Sequence, residues 1–303
     1  MRSIPPFATV YLPPKFQPAI GTVQIVHGMA EHKGRYRDFA EFLRLNGYAV
    51  IIGDLRGHGT NVRREAELGY FGDNGAASFV SDVHEMTRYI CETCPGVPYY
   101  LIGHGMGALI CTAYIKKYDY FLDGLFLSGM PSEKNTEISR TICNIKIALY
   151  GEYHRSKSTY NSIYRCFKRG FSGDNSPTAW LSSDPDVCER YERDSACGYI
   201  YTLNGFRTYY DVMDNAYKIG SWIQKNPNLP IYIIAGSKDP CAGNRNHLFR
   251  IAGLFEAYNY ENVNAYLLHG QRHDIYNDIG HERTYDFFIN AFEKDDDTRV
   301  LSW

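Results

Sequence analysis

Net charge is nearly absent from this chain. Lys plus Arg number 32 against 34 for Asp plus Glu, leaving −2 over 303 residues. That balance offers no electrostatic footprint for nucleic acid or for an acidic membrane surface. Long apolar runs are also missing, and no stretch reaches the length of a bilayer span. The segment Met1 to Pro14 lacks a basic stretch followed by an apolar one, so no secretory signal is expected. Tryptophan is scarce, with three residues, and the eight cysteines follow no regular spacing. Cys91 and Cys94 form a C-x-x-C without a second pair or a preceding strand. It reads as the frayed end of a helix rather than a redox or zinc site. No two carboxylates or histidines stand at metal-ligand spacing, and no glycine loop is built to cradle phosphate. Neither a metal nor a cofactor is expected. A soluble, cytoplasmic protein in a reducing compartment is the simplest expectation.

What is present is apolar and regular. Hydrophobic residues make up 44% of the chain, enough for one large α/β domain or two smaller ones. Thr22–Val26 and Tyr48–Ile52 are near-continuous apolar runs of the kind found in buried parallel strands. Phe7–Leu12, Leu122–Leu127, Ile231–Ala235 and Asn264–Leu268 complete the strand candidates outside the stretch at 99–108. Helices are predicted between them, with Tyr36, Phe39, Ala40 and Leu43 on one and Phe79, Val83, Met86 and Ile90 on another. The spacing of Ile138, Ile142, Ile145 and Leu149 predicts a further helix. Residues 247–258 and 282–292 are predicted as the last two. Strands alternating with helices indicate a parallel sheet covered on both faces. The rhythm lapses after Pro131: residues 151–210 are polar, aromatic and poorly periodic. The expected organisation is a core of residues 1–130 and 211–303 with a cap inserted at 131–210. The tail from Asp295 to Asp297 reads as loose.

Tyr99 to Ala108 organises the rest. It reads as a buried strand, a tight turn and a helix, with glycines at 103, 105 and 107. That is the spacing of a G-x-S-x-G elbow, which lifts a nucleophile out of a sheet. The outer glycines let strand and helix approach closely. The central residue is Gly105, which has no side chain to attack with. Two later loops carry the other groups that acyl transfer needs. Asp239 follows the strand ending at Ala235, and His273 follows the strand ending at Leu268. Acid then base, in that order after the elbow, is the order of α/β hydrolases. Asp239 would orient the His273 ring, and His273 would serve as general base toward position 105. Singly, Asp239 also fits a turn before proline and His273 a solvated loop. N–H donors for an oxyanion are expected from Met106, which follows the elbow residue, and from Met29, after the first central strand. His58 and His104 read as bracing and packing groups.

Taken together, several motifs resemble one family. They are His27-Gly28-Met29-Ala30-Glu31-His32 with Arg35-Tyr36, Asp54-Leu55-Arg56-Gly57-His58-Gly59, Gly103-His104-Gly105-Met106-Gly107, Gly236-Ser237-Lys238-Asp239-Pro240 and Arg272-His273. They resemble the lysophospholipase and monoacylglycerol-lipase-like branch of the α/β hydrolases, also labelled serine aminopeptidase. Trp180 to Asp184 resembles the cap of bacterial lysophospholipase-like members. The resemblance implies an eight-stranded, mostly parallel sheet flanked by helices, with a helical lid. It also implies ester hydrolysis through an acyl-enzyme, on lipid or small esters, without a cofactor. The sequence departs from the family at Gly105, where the family has serine, and at Leu55, where histidine is common. Three readings stand open: a hydrolase with its nucleophile replaced, a natural pseudoenzyme that binds a lipid or ester-like ligand, and an enzyme in which His273 activates water directly.

Overall fold

The computed structural model describes residues 3–15, 17–133, 136–171, 176–218, 220 and 222–293. The tail at Asp295–Asp297 lies outside the described residues, as do positions 134–135 and 172–175 of the expected cap. Seven strands form one sheet: β1 (Ala8–Tyr11), β2 (Gly21–Val26), β3 (Tyr48–Gly53), β4 (Tyr99–His104), β5 (Gly124–Ser128), β6 (Ile231–Gly236) and β7 (Val263–Leu268). Their order is β1-β3-β2-β4-β5-β6-β7. β1 runs antiparallel to β3, and every other pairing is parallel. Where the resemblance implies eight strands, seven are found among the described residues.

Nine α-helices accompany the sheet among the described residues: α1 (Arg37–Leu45), α2 (Gly75–Thr93), α3 (Met106–Tyr118), α4 (Thr136–Tyr150), α5 (Lys157–Lys168), α6 (Pro185–Arg193), α7 (Leu203–Tyr217), α8 (Arg245–Glu256) and α9 (His281–Glu293). Strands β2 to β5 are buried along their whole length, as their continuous apolar runs require. α1 and α9 cover one face, with Phe39, Leu43, Phe288 and Phe292 packed on Tyr48 and Phe126. α2, α3 and α8 cover the other, through Phe79, Leu109 and Phe255, and α7 packs on α2 and α3 outside them. Cys94 caps the C-terminus of α2, where the C-x-x-C was expected to fall.

Residues 151–210 are more ordered than their sequence indicates. They hold α5, α6 and the start of α7. α7 escapes detection because most of its surface is buried, including polar Asn204 and Thr208, so no single apolar stripe stands out. A local signal for α6 was present: Asp184 caps its N-terminus by accepting from the Asp186 N–H, with Pro185 at the first position. α4 inverts the usual logic. The stripe that predicts it points outward, with Ile138, Ile142, Ile145 and Leu149 all exposed, while Thr136 and Cys143 face α7.

The glycines on either side of the β4–α3 connection tolerate no added atoms. A Cβ on Gly107 would lie 2.1 Å from the Val26 carbonyl oxygen, and one on Gly103 would lie 2.6 Å from that of Gly107. Gly107→Ala is expected to destabilise the protein by about 1–3 kcal/mol through overpacking. Gly253→Ala, in α8 with nothing within 4 Å of its Cβ position, should stabilise by roughly 0.5–1 kcal/mol. Paired urea titrations check both signs.

Candidate active site

β4 ends at His104 and α3 begins at Met106, so the reversal rests on one residue. Gly105 has φ 54° and ψ −115°, a left-handed conformation that glycine adopts without strain. Its N–H donates to the Ser128 carbonyl at the end of β5, 2.9 Å away. A Cβ built on Gly105 would meet only ordinary contacts, 3.6 Å from His273 Nε2 and 3.6 Å from the Gly28 Cα. Position 105 therefore has room for a serine, and His273 already faces that room.

His273 comes from the loop after β7 and Asp239 from the loop after β6. Their side chains meet at 2.9 Å, Nδ1 to Oδ2. The other Asp239 oxygen accepts from the Cys241 N–H at 2.6 Å. Burial alone would raise the Asp239 carboxyl and lower His273. Their mutual attraction and hydrogen bond outweigh it, so Asp239 is held below and His273 above their ordinary ranges. His104 packs on His273, ring centroids 4.6 Å apart. Burial and the neighbouring His273 bring His104 down to about 4. It stays neutral, linked to the Ser128 hydroxyl at 3.0 Å. Its placement behind the elbow agrees with the packing role read from sequence.

Met29 and Met106 both border the space beside Gly105. The Met106 N–H opens α3 and has no partner within the helix. Among the described residues no hydrogen bond engages the Met29 N–H either. All five expected residues, Met29, Gly105, Met106, Asp239 and His273, thus converge from four separate loops.

Several groups around this point were given no role from sequence. Glu31 is buried against the site and accepts from Gly28 N–H, from Tyr36 Oη at 2.7 Å and from Arg35 Nε at 3.0 Å. Burial would raise its carboxyl. His104, Arg35, His27 and the Tyr36 hydroxyl bring it down to about 2. Arg35 also donates to Asp274, next to His273. Trp180, Tyr164 and Phe167 wall the space, with the Trp180 ring 5.4 Å from His273. Arg35 lay in a quoted motif, but its pairing with Asp274, 239 positions away, left no sequence signal. The space, partly open to solvent, measures about 40 Å³. That holds water but is far below the roughly 300–1,000 Å³ of small-molecule sites.

Donor atoms also gather where no sequence spacing announced them, because a histidine from one loop joins an aspartate and a cysteine from another. Asp239, Cys241 and His273 have side-chain donors within 4.8 Å of one another, as do His32, Asp194 and Cys197. In each group the histidine and the aspartate are already hydrogen-bonded to each other.

Comparison with known proteins decides the family. The profile of the serine aminopeptidases, S33, matches residues 17–280. This chain is a member of that family. It falls in the lysophospholipase and monoacylglycerol-lipase-like branch, a group of esterase- and lipase-type hydrolases. A monoacylglycerol lipase of Mycolicibacterium smegmatis is 25% identical over 264 residues, covering 85% of this chain and 82% of that one. The phospholipase YtpA of Bacillus subtilis is 31% identical over 99 residues, spanning 32% of this chain and 35% of that protein's length. A thermostable carboxyl esterase from Bacillus coagulans, solved with glycerol, superposes with a TM-score of 0.83 at 24% identity, covering 95% of this chain and 93% of the other. That likeness speaks for the fold alone. Among the described residues no helix is long and apolar enough to cross a membrane.

The His273–Asp239 pair makes stability depend on pH in a definite direction. The raised His273 contributes fully below its unfolded value of 6.5, and the contribution fades as pH rises through its folded value. The lowered Asp239 contributes above 3.8 and fades as pH falls through its folded value. Asp239→Asn is therefore expected to cost most between pH 3.8 and 6.5, on the order of 1–3 kcal/mol. The cost should shrink on either side of that window. Thermal melts of both forms across pH 3–9 measure the difference.

Proposed function

We propose that this chain keeps the acyl-ester site of its hydrolase branch without the nucleophile. It binds a lipid or small ester-like ligand, of lysophospholipid or monoacylglycerol type, with little or no turnover. The observation that carries this reading is the environment of position 105. Glycine stands where a serine Cβ would sit 3.6 Å from His273 Nε2, while the His273–Asp239 hydrogen bond is intact. On this reading the site lacks only the hydroxyl of a serine hydrolase.

In a serine form, His273 would take the Oγ proton as Oγ attacks the ester carbonyl. Asp239 would hold the imidazolium, and the N–H groups of Met29 and Met106 would meet the oxyanion. His273 would then protonate the leaving alcohol, and water would release the acyl group. With Gly105 no covalent step is available. Direct attack by a water that His273 activates has one observation in its favour, the cavity of about 40 Å³ beside it. Lacking nucleophilic catalysis and its entropic advantage, that route should be slow.

We assign residues 131–210 to a lid over this site. Trp180, Tyr164 and Phe167 belong to it, and they leave too little room for an acyl chain. Ligand entry then requires this wall to move. A cytoplasmic, reducing setting fits the seven described cysteines, none of which forms a disulfide.

Two measurements test the reading. A fluorophosphonate should label no serine of the unmodified chain. Ser128, whose carbonyl accepts from the Gly105 N–H, is buried and hydrogen-bonded to His104 and to Tyr276 Oη. Gly105→Ser should hydrolyse a short-chain chromogenic ester and accept the label at position 105. It should also melt lower, by the equivalent of about 1–3 kcal/mol, because serine is strained at this positive φ. A folded but inert Gly105→Ser form would show that the remaining site has lost its competence.

A further inference from the structure

The loop Asp54-Leu55-Arg56-Gly57-His58-Gly59 plays no part in the chemistry above, yet His58 is fully buried. Its ring has a defined hydrogen-bond polarity. Burial, with His27 nearby, brings its pKa down to about 3, so the ring is neutral. Nδ1 faces the Arg56 carbonyl at 3.0 Å, a group that only accepts, so the ring proton sits on Nδ1. Nε2 is then an acceptor, and its partner is Tyr201 Oη at 2.5 Å. Tyr201 donates its proton to His58, and its oxygen accepts from the Ala30 N–H at 3.0 Å.

Ala30 is the residue after Met29. It has φ 52°, one of two positive values at non-glycine residues among those described, and an alanine holds such a conformation only under external restraint. Both its amide groups are held from residues 191–201. The carbonyl accepts from Gly198 N–H at 2.8 Å and Tyr191 Oη at 3.1 Å, and the N–H is held by Tyr201.

We propose that Tyr201, oriented by His58, is a positioning residue: it holds Ala30 in its left-handed conformation so that the preceding Met29 N–H faces the oxyanion position. The lid-side segment and the oxyanion loop are thereby one mechanical unit. This rests on the reading of Met29 as an oxyanion donor.

The test uses the Gly105→Ser background, whose own activity decides the underlying reading first. Adding Tyr201→Phe keeps the ring against Phe71 and removes only the hydroxyl. The expected result is a fall in kcat of about tenfold or more with KM within twofold. In the unmodified chain, Tyr201→Phe should weaken binding of an anionic phosphonate analogue of the tetrahedral intermediate while leaving a neutral monoalkyl glyceryl ether unaffected. His58→Leu should reproduce the kcat loss, and His58→Gln, whose side-chain carbonyl can accept from Tyr201, should retain most of the activity. The His58 pair decides the matter even where Tyr201→Phe fails to fold. Unchanged kcat in an active Gly105→Ser background, equal loss of both ligands, or equal effects of Leu and Gln at His58 would overturn the proposal.

Discussion

The left-handed turn at Gly105 is the constraint on which the site depends. It reverses the chain between the central strand β4 and helix α3 with no intervening loop. The reversal works because α3 lies directly on β2, so close that a Cβ on Gly107 would reach 2.1 Å from the Val26 carbonyl oxygen. That contact fixes where the first N–H groups of α3 point. It also leaves a side-chain-sized space over Gly105, into which the His273 ring looks. Removing the nucleophile leaves this geometry untouched, since glycine is the residue the turn strains least.

The charges around that space are buried and each is matched. Asp239 pairs with His273, and Arg35 bridges Glu31 to Asp274. Breaking one partner of such a pair leaves an uncompensated charge out of water, which is far more costly than the pair's net worth. These pairs also tie loops together: the first joins the segments after β6 and β7, and the second joins the loop after β2 to the His273 loop. A site frame that serves as structural cross-linking can persist when the chemistry it was arranged for has lost its attacking group.

Much of this was legible along the chain. The buried strands announce themselves because both faces are covered and their residues are almost uniformly apolar. Asp239 and His273 were identifiable because each follows a strand whose end was clear. The eighth strand, taken from resemblance rather than residues, does not appear among those described. Helices α4 and α7 depart from the usual pattern in opposite ways. α7 is buried on most sides and shows no periodic stripe, whereas α4 carries a stripe that faces solvent. Periodicity reports where apolar residues fall around a helix, not which of its faces a neighbour covers.

By itself the sequence determined the alternation of strands and helices, the glycine spacing that demands a tight turn, the order of acid and base, and the absence of a hydroxyl at position 105. These are local or ordinal properties, set by side-chain volume, backbone freedom and position along the chain. Only the tertiary structure decided that a serine would fit at 105, that Trp180 and Tyr164 narrow the space beside it, and that Arg35 reaches Asp274. It alone placed Tyr201 between His58 and Ala30, 143 and 171 positions away in sequence. Those relations depend on distances between segments remote in the chain, and such distances exist only once the sheet and its covering helices have closed around a common core.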